Sequence, residues 1–480
     1  MNDRSVVVGL DLGTSSVKAA AVDAQGRVLA RARREYPTSR SGAGVAEQDP
    51  ADWWRATGAV LAELATLAPT RDWIGLGLSA MLPTLVALDD QHEPVTAAIT
   101  WQDARGEAAG ERLRSRIGAD ELYRRTGQWV DGRYLLPMAA ALSERDPAAG
   151  ARVRVVAGAK DYLHRQLTGE LLTDPSTAAG YGCYDLAAGR WDGTIGNVWT
   201  LPPVMPSSTI TPLSSDVATH LGLPARLPVV LGAADSVLAA KAVGADRAGD
   251  VAYLCGTSTV VLACRDEITL DPEHRYLLTP TADGSYAAEL DLLATGTAMS
   301  WLAGLFGLAG GASELAELAA QPAEPGQPTF LPYLAPGEQG ALWDADLSGA
   351  VLGLNVRHGR QDLARALLTG IVLESVRCLR VLGGESDVLA GGRAMAGRFA
   401  QDLADASGRR VRFDPTETAH SAVGAALLAA ATVGMGGFGS HGPAQIRTPD
   451  PRRRESWDEL FAIHDAARIA SGHGPGRGRR

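Results

Sequence analysis

Apolar and polar positions along the chain form short strand-like runs that alternate with longer helical ones. The strand-like runs include residues 73–78, 85–88 and 227–231. Residues 362–382 carry apolar side chains at helical spacing, which predicts a long helix. Residues 50–67 predict another helix, with Asp49 as its N-cap and Pro50 at its first position. Strands that alternate with helices indicate an α/β protein.

A small glycine turn follows the first strand. Asp11 ends that strand, the turn Gly13-Thr14-Ser15-Ser16 comes next, and a second strand rather than a helix follows. The turn therefore differs from the P-loop and from the dinucleotide fingerprint, which both lead into helices. Backbone N–H groups around a glycine can still bind an anion, and Lys18 could add a positive charge. The turn predicts either a phosphate-binding hairpin or a purely structural one.

The same pattern occurs a second time, about half the chain later. Residues 251–260 read VAYLCGTSTV and align with VGLDLGTSSV at residues 8–17, with Gly-Thr-Ser in register. Such a repeat predicts a duplicated domain. Asp11 of the first copy corresponds to Leu254 of the second, so only one copy carries a carboxylate.

Two phosphate hairpins that face each other across a cleft, with one carboxylate, suit a nucleoside triphosphate and a magnesium ion. Mg²⁺ accepts one or two carboxylates together with phosphate oxygens and water, so Asp11 is sufficient. A turn or capping role for Asp11 is the structural alternative.

These residues, together with further motifs, resemble the FGGY carbohydrate kinases, of the actin, hexokinase and chaperone ATPase fold. The supporting segments are EQDPADWW (47–54), TWQDAR (100–105), KDYLHRQLTGE (160–170), GAADSV (232–237), FLPYLAPGE (330–338) and GGRAMAGRFAQDLADASG (391–408). The resemblance extends from about residue 6 to 433 and is strongest to the xylulokinases. It implies duplicated ribonuclease H-like domains with an interdomain cleft. We place the first domain at residues 1–244, the second at 245–470, and a disordered tail at 471–480.

Asp235 is the candidate catalytic base. It follows an apolar strand and the small-residue turn Gly232-Ala233-Ala234, and it matches the family's catalytic aspartate in Gly-x-x-Asp. Phosphoryl transfer needs positioning, charge stabilisation and a carboxylate that takes the hydroxyl proton. The structural alternative is an aspartate that caps a helix starting at Ser236.

The resemblance also assigns the nucleotide and metal sites. Asp11 and Asp235 would bind Mg²⁺, and both hairpins with two glycine segments would bind ATP. The ATP-binding candidates are Gly13, Thr14, Ser15, Lys18, Gly256, Thr257, Ser258, Gly296, Gly391 and Gly392. Arg393 stands where the family often has a third glycine, and its role is left open. Trp301 lies near Gly296, and we expect it in the core.

The predicted sugar site contains polar and aromatic side chains that pair with hydroxyls or cover an apolar sugar face. The implied substrate-binding residues are Met81, Leu82, Trp101, Asp103, Asp235 and Ser236. Glu47, Gln48, Trp53 and Arg105 are further candidates. Each has a structural alternative: Trp53 could pack beneath the sheet, and Asp103 with Arg105 could form an ion pair.

The sequence departs from its relatives at Met81-Leu82-Pro83-Thr84. Xylulokinases typically have Gln-Met-His-Gly there and glycerol kinases Gln-Arg-Glu-Thr, so Pro83 replaces a polar residue. Ser236 likewise stands where xylulokinases usually have Asn. A buried hydroxyl left without a partner costs about 1–3 kcal/mol. D-xylulose is the first expectation for the substrate. Another ketopentose, a polyol or gluconate is the alternative, as is a sugar and nucleotide sensor with weak or no turnover.

The composition of the chain limits the classes of molecule that the protein is expected to bind. The 480-residue chain has a net charge of −10, which disfavours nucleic acid or an anionic membrane as a partner and leaves a small-molecule substrate. Residues 422–439 are uncharged but rich in Ala and Gly, which predicts a buried helix rather than a membrane span. Four cysteines without a CxxC pair predict reduced thiols in a cytoplasmic protein. A homodimer is left open.

Overall fold

The computed structural model describes residues 4–196, 198–335, 340–342, 347–392, 395, 397–436 and 445–471. Arg393 and all but the first residue of the predicted 471–480 tail lie outside these residues. Contacts divide the chain into two compact units. The first runs to Ala242 and also contains Leu278–Ala287 and a segment from Ala419. The second contains Val243–Leu277, Ala288–Thr418 and the described residues from Gln445 onward.

The strands and helices follow the alternation expected from the sequence. The strands are β1 Val6–Leu12, β2 Ser16–Asp23, β3 Val28–Glu35, β4 Glu47–Gln48, β5 Trp73–Ala80, β6 Thr84–Leu88, β7 Ala98–Thr100, β8 Val155–Gly158, β9 Tyr184–Asp185, β10 Arg190–Trp191, β11 Ile210–Pro212, β12 Pro228–Ala234, β13 Val251–Cys255, β14 Thr259–Arg265, β15 Leu277–Pro280, β16 Tyr286–Leu292, β17 Thr329–Leu331, β18 Ala350–Leu352, β19 Val388–Gly391, β20 Val411–Phe413 and β21 Gln445–Arg447. The helices are α1 Pro50–Leu67, α2 Glu107–Ile117, α3 Ala119–Thr126, α4 Leu135–Arg145, α5 Pro147–Gly150, α6 Ala159–Thr168, α7 Pro175–Ala179, α8 Ser215–Leu221, α9 Asp235–Ala242, α10 Gly296–Leu305, α11 Gly311–Leu318, α12 Arg360–Leu382, α13 Phe399–Ser407, α14 His420–Thr432 and α15 Arg454–Ala470. Short 3₁₀ turns occupy Thr70–Asp72 and Pro451–Arg453.

A six-stranded sheet with the order β11-β12-β5-β1-β2-β3 forms the centre of the first unit. Strand β1 pairs antiparallel with β2 and parallel with β5, and β5 pairs parallel with β12. All seven residues of β1 are buried, because the sheet packs against other elements on both faces. Helix α1 begins at Pro50 with the Asp49 side chain accepting a hydrogen bond from Ala51 N, which confirms the predicted cap.

The second unit repeats this layout in a seven-stranded sheet with the order β15-β16-β14-β13-β19-β20-β21. Its hairpin β13-β14 is antiparallel, and β13, β19 and β20 run parallel, as β1, β5 and β12 do in the first unit. The long helix α12 precedes β19, as predicted for residues 362–382. The duplication inferred from the two Gly-Thr-Ser turns is therefore confirmed by strand order as well as by sequence.

The Ala- and Gly-rich helix α14 packs closely on the first sheet. A Cβ atom added at Gly9 would lie 1.8 Å from the Ala422 carbonyl oxygen, and one at Gly77 would lie 2.1 Å from that of Ala425. A Cβ at Gly424 would lie 1.8 Å from the Leu238 carbonyl oxygen on α9. The small residues thus permit backbone-to-backbone packing, and the predicted buried helix is confirmed. No helix among the described residues has the length and apolar character needed to cross a membrane.

The structure refines one local prediction and agrees with another. The small residues Gly232–Ala234, expected to form a turn, continue strand β12, and helix α9 begins at Asp235 itself. The cysteines Cys183, Cys255, Cys264 and Cys378 are all buried, as expected.

Buried His164 on α6 predicts a loss of stability in mild acid. Burial lowers its pKa from 6.5 to about 4, while its Nδ1 lies 2.8 Å from the Glu170 carbonyl oxygen. The unfolded chain binds a proton below about pH 6.5 that the folded chain rejects, so stability falls as pH drops from 6.5 towards 4, by at most about 3 kcal/mol. Urea unfolding at several pH values should show this slope, reduced in His164→Asn. An equal slope in both proteins would assign the pH dependence to other groups.

Candidate active site

Asp11 lies near the carboxyl end of β1, on the sheet face opposite α1. Residues alternate between the faces of a strand, so Asp11 shares its face with Val7 and Gly9. Its side chain is buried and accepts a hydrogen bond from Ser79 Oγ at 3.0 Å. Lys18, its cross-strand neighbour on β2, brings its Nζ to 3.6 Å from Asp11 Oδ2. The carboxylate therefore lies beside one cation and one hydroxyl.

The turn after Asp11 is held by side chains from distant parts of the first unit. Gly13 N donates to Ser16 O at 3.1 Å, which closes the turn. Tyr36 donates its hydroxyl proton to the Gly13 carbonyl oxygen, and burial and Asp11 raise its pKa so that the proton is retained. Gln48 Nε2 donates to the Thr14 carbonyl oxygen at 2.8 Å. The backbone of this turn is thus fixed in place, as an anion-binding turn requires.

Trp101 connects the predicted sugar site to this turn. Its Nε1 donates to Thr14 Oγ1 at 3.2 Å, and the indole is half-buried. Trp53, by contrast, is 1% exposed, packs in the core and donates its Nε1 to Gln48 Oε1 at 2.9 Å. Trp53 therefore packs in the core, which is the structural role that the sequence left open. Buried Gln48 supports the turn.

Asp103 and Arg105 form the ion pair that the sequence left open as an alternative. Asp103 is 2% exposed, and its Oδ2 accepts from Ala46 N at 2.9 Å. Arg105 donates to both Asp103 oxygens and, through Nη2, to Glu47 Oε1 at 2.5 Å. Burial alone would lower the pKa of Arg105, but these carboxylates outweigh it and raise the pKa. The Asp103 carboxylate is therefore occupied by protein groups.

The sheet register brings Asp235 to the same edge as Asp11. Leu12 pairs with Ala80, and Ala80 pairs with Ala234, the residue before Asp235. Parallel strands end at one edge, and two strand spacings are about 10 Å. Asp235 is half-buried, and its Oδ1 accepts a hydrogen bond from the adjacent Ser236 N at 2.9 Å. The two carboxylates that the sequence singled out thus lie at the same carboxyl edge of one sheet, on strands separated by β5.

The altered segment before β6 is largely apolar and withdrawn from solvent. Met81 is 2% exposed and packs in the core beside α1, which corrects the expectation that its side chain contacts a sugar. Leu82 is half-buried, and a Cβ added at Gly180 would lie 2.4 Å from its Cδ1. Pro83 is half-buried after a cis peptide bond. Leu82 and Pro83 are therefore the members of this segment with exposed surface near the sheet edge.

In the second unit, three predicted nucleotide-binding segments meet at the end of β13. Gly256 N donates to Ser258 O at 2.8 Å, and Thr257 O accepts from Thr297 N at 3.0 Å. A Cβ added at Gly296 would lie 2.1 Å from Gly256 O.

Gly391 and Gly392 complete this arrangement. Cys255 Sγ donates to Gly391 O at 3.1 Å. A Cβ on Gly392, whose φ is +112°, would lie 1.8 Å from Cys255 O. Glycine is therefore required at position 392 on two grounds, backbone angle and space.

Trp301 is not a core residue. It lies on α10 and is 46% exposed, contrary to the expectation from sequence.

Two residues at the first turn escaped sequence reasoning. Ser79, the hydrogen-bond donor to Asp11, follows directly on the predicted strand at 73–78, so its position at a strand end was a usable signal. Tyr36 directly follows β3 along the chain, and nothing in the sequence around it indicated a contact with the turn.

The residues present are compatible with a magnesium ion that arrives with a nucleotide. Among the residues that the structure describes, no group of three or more His, Cys, Asp or Glu side chains could hold a metal. Mg²⁺ binds through one or two carboxylates and takes its other ligands from phosphate and water. Asp11 and Asp235 can supply those carboxylates.

Comparison with known proteins agrees with this geometry. The model of the FGGY family of carbohydrate kinases, N-terminal domain, matches residues 6–242, and the C-terminal domain model matches residues 251–433. The chain is 30% identical to the xylulose kinase of Escherichia coli over 441 residues, 88% of this chain and 89% of that protein. It is 25% identical to the gluconokinase of Bacillus subtilis over 385 residues, 77% of this chain and 75% of that protein.

A solved structure extends the likeness over almost the whole chain. The crystal structure of xylulose kinase from Rhodospirillum rubrum superimposes with a TM-score of 0.85 at 30% identity, covering 97% of this chain and 99% of that one. With both domain models matched in order along a duplicated actin- and hexokinase-like fold, this chain belongs to the FGGY family of carbohydrate kinases and is a sugar phosphotransferase.

Proposed function

We propose that this kinase transfers the terminal phosphoryl group of ATP to D-xylulose, giving D-xylulose 5-phosphate and ADP. The observation that carries the catalytic part of the proposal is the position of Asp11 and Asp235 at one edge of the first sheet. One carboxylate can serve the phosphates and the other the acceptor hydroxyl. The xylulose kinases among the relatives support the choice of sugar.

Asp235 is the proposed general base. Its carboxylate takes the proton of the attacking hydroxyl, whose oxygen bonds to the terminal phosphorus while the bond from that phosphorus to ADP breaks. Its hydrogen bond from Ser236 N fixes one carboxylate oxygen. Asp235 also lies in the first turn of α9, at the positive end of the helix dipole.

The two hairpin turns are the proposed phosphate sites. In the first unit, Thr14 and Ser15 would donate to the outer phosphates and Lys18 would add charge. Thr257 and Ser258 would do the same from the second unit, with Gly296, Gly391 and Gly392 near the adenosine. Mg²⁺, held by Asp11 with Asp235, would neutralise phosphate charge when bound.

This assignment gives the two halves of the chain different roles. We propose that residues 1–244 supply the base and the sugar site, and that residues 245–470 supply the adenosine site. Within the first part, Trp101 and Leu82 are the proposed sugar contacts, because Trp101 is half-buried beside Thr14 and Leu82 retains exposed surface. Asp103 would act through Arg105 and Glu47 rather than on the sugar itself.

A substrate panel tests the proposal. ADP release with Mg-ATP should be stimulated strongly by D-xylulose and weakly by glycerol, other ketopentoses, ribitol, erythritol and gluconate. The basal rate without sugar should be far lower, because closure over a sugar excludes the water that would otherwise hydrolyse ATP.

Other outcomes would reassign the protein. Stronger stimulation by gluconate would move the substrate towards that of the gluconokinase relative. Nucleotide binding without stimulation by any compound in the panel would replace the kinase proposal with a sensor.

A further inference from the structure

Strand β12 contains a bulge just before Asp235. Its register against β5 advances from Val230 paired with Gly77 to Ala233 paired with Ser79, so β12 has one extra residue in this interval. Gly232 lies inside the interval with a φ of +76°. Bulges near active sites redirect the side chains that follow them. The bulge therefore sets where Asp235 lies, and its backbone groups need partners other than β5.

Those partners come from a buried polar cluster beneath the bulge. Lys160 Nζ donates to Leu231 O at 3.2 Å, and Gly232 N donates to Ser207 O at 2.9 Å. Ala234 N, one residue before Asp235, donates to Ser176 Oγ at 2.9 Å.

All three supporting residues meet at one carboxylate. Asp174 accepts from Ser176 Oγ at 2.6 Å and from Ser207 Oγ at 2.9 Å, and Lys160 Nζ lies 3.1 Å from its Oδ1. We call Lys160, Asp174, Ser176 and Ser207 the Asp174 cluster. Asp174 and Ser176 are 0% exposed, Lys160 is 1% exposed and Ser207 is 3% exposed.

Lys160 is a buried cation between two buried carboxylates, 3.1 Å from Asp174 Oδ1 and 3.8 Å from Asp161 Oδ1. Burial alone would raise the pKa of Asp174, but the Lys160 ammonium and the Ser176 and Thr177 hydroxyls outweigh it and lower the pKa. An ion pair placed so deeply costs desolvation energy and is weak evidence for stability on its own. A role in specifying the backbone at the bulge accounts for its position.

We propose that Ser176, oriented by Asp174, is a positioning residue that fixes the end of β12 and thereby aims the Asp235 carboxylate at the sugar hydroxyl. The inference rests on the proposed role of Asp235 as the base. Ser176 touches no reacting atom in this scheme and acts through the Ala234 backbone.

A matched pair of variants separates positioning from stability. Ser176→Ala and Thr177→Val each remove one hydroxyl that donates to Asp174 at 2.6 Å. Ser176 holds Ala234 N, whereas Thr177 bonds within its own turn, to Asp174 and Gly180. Misplacement of a reacting group by about 1 Å can cost up to about 100-fold in rate. Ser176→Ala should therefore lower kcat by roughly 10- to 100-fold, with KM for ATP unchanged.

Thr177→Val should lower the melting temperature to a similar extent as Ser176→Ala while leaving kcat within about threefold of the wild type, as expected for a purely structural loss. Equal kcat losses in the two variants would overturn the inference. If Ser176→Ala fails to fold, Ser176→Cys retains the volume with a weaker acceptor and should show the same selective loss of kcat.

Measurements in the Asp235→Asn background distinguish a failure of this inference from a failure of the proposed function. In that background, Ser176→Ala should lower residual turnover by less than about twofold, because residues that act as one unit are not additive. A further full loss would mean that Ser176 acts independently of Asp235 and would overturn the inference. An Asp235→Asn enzyme with wild-type kcat would instead refute the proposed base.

Discussion

Asp235→Asn should lower kcat by about 10²- to 10⁴-fold, the range that general-base assistance contributes. The amide cannot accept the proton of the sugar hydroxyl, although it has nearly the same shape as the carboxylate. Binding of nucleotide and D-xylulose should be largely retained, because the loss falls on the chemical step. The measurement is sugar-stimulated ADP release, with sugar and nucleotide binding followed separately by calorimetry.

Substitution by asparagine distinguishes a catalytic role of Asp235 from a helix-capping role. Asp235 accepts a hydrogen bond from Ser236 N at the start of α9, so a structural role is physically reasonable. Asn serves as well as Asp at helix N-termini. If Asp235 were only a capping residue, the substitution would be nearly silent in kcat.

Asp49→Asn is the matched control. Asp49 caps α1 through a hydrogen bond from Ala51 N and lies at an exposed helix start. The same chemical change there should leave turnover intact. Comparable activity in the Asp235 and Asp49 variants would refute the assignment of Asp235 as the base.

Gly232→Ala should be the most destabilising single substitution near the active site. A Cβ atom at this position would lie 1.6 Å from the Leu78 carbonyl oxygen, and the residue has a φ of +76°. Because the obstructing atom belongs to the backbone of a neighbouring central strand, no side-chain rotation relieves the overlap. We expect the free energy of unfolding to fall by more than about 4 kcal/mol, together with loss of turnover.

Gly222→Ala separates the two causes. Gly222 has a φ of +65°, but a Cβ added there meets nothing within 4 Å. Gly222→Ala should lower the free energy of unfolding only by the cost of a left-handed backbone conformation, about 1–2 kcal/mol. Urea unfolding of both variants gives the comparison. Similar losses would mean that β12 and β5 can move apart at the bulge, and the steric argument would fail.

The two duplicated hairpins differ in the residues that surround their turns. In the first unit, Asp11 lies near the carboxyl end of β1 with Lys18 and Ser79 beside it. In the second, Leu254 occupies the corresponding position, and Gly296 and Gly392 pack against the backbone of the turn. A single carboxylate at one turn suffices for a nucleotide-bound Mg²⁺. At the second turn, the absence of a Cβ at Gly296 and Gly392 lets their backbone approach the turn closely.

Within the proposed sugar site, the segment around Pro83 is the main departure from the motif of the xylulokinases. Met81 is buried, while Leu82 and Pro83 retain exposed surface. An apolar wall cannot hydrogen-bond a hydroxyl, and a buried unpaired hydroxyl costs about 1–3 kcal/mol. The response to D-xylulose relative to gluconate and the polyols therefore measures how the remaining contacts compensate.

The sequence by itself determined the α/β fold, the duplication and the residues of the two hairpins. These follow from local patterns: strand and helix periodicity, the Asp49-Pro50 start of α1, and two Gly-Thr-Ser turns in register. The family motifs singled out Asp235 as the candidate base, which stays a prediction. Such features are encoded within a few neighbouring residues, which is why they could be predicted without knowledge of any long-range contact.

The tertiary structure alone decided which polar residues support the site and which remain available to a ligand. Trp53, Gln48 and Asp103 looked like sugar contacts in the sequence, but each is buried against a partner distant along the chain or across a turn. Trp301 looked like a core residue and is exposed.

The bulge before Asp235 is the clearest example of a feature that only the tertiary structure decided. Its support by Lys160, Ser176 and Ser207 depends on the register between two parallel strands and on groups that meet only after folding. Hydrogen bonds and burial depend on distance in space, and residue type and spacing along the chain do not specify that distance.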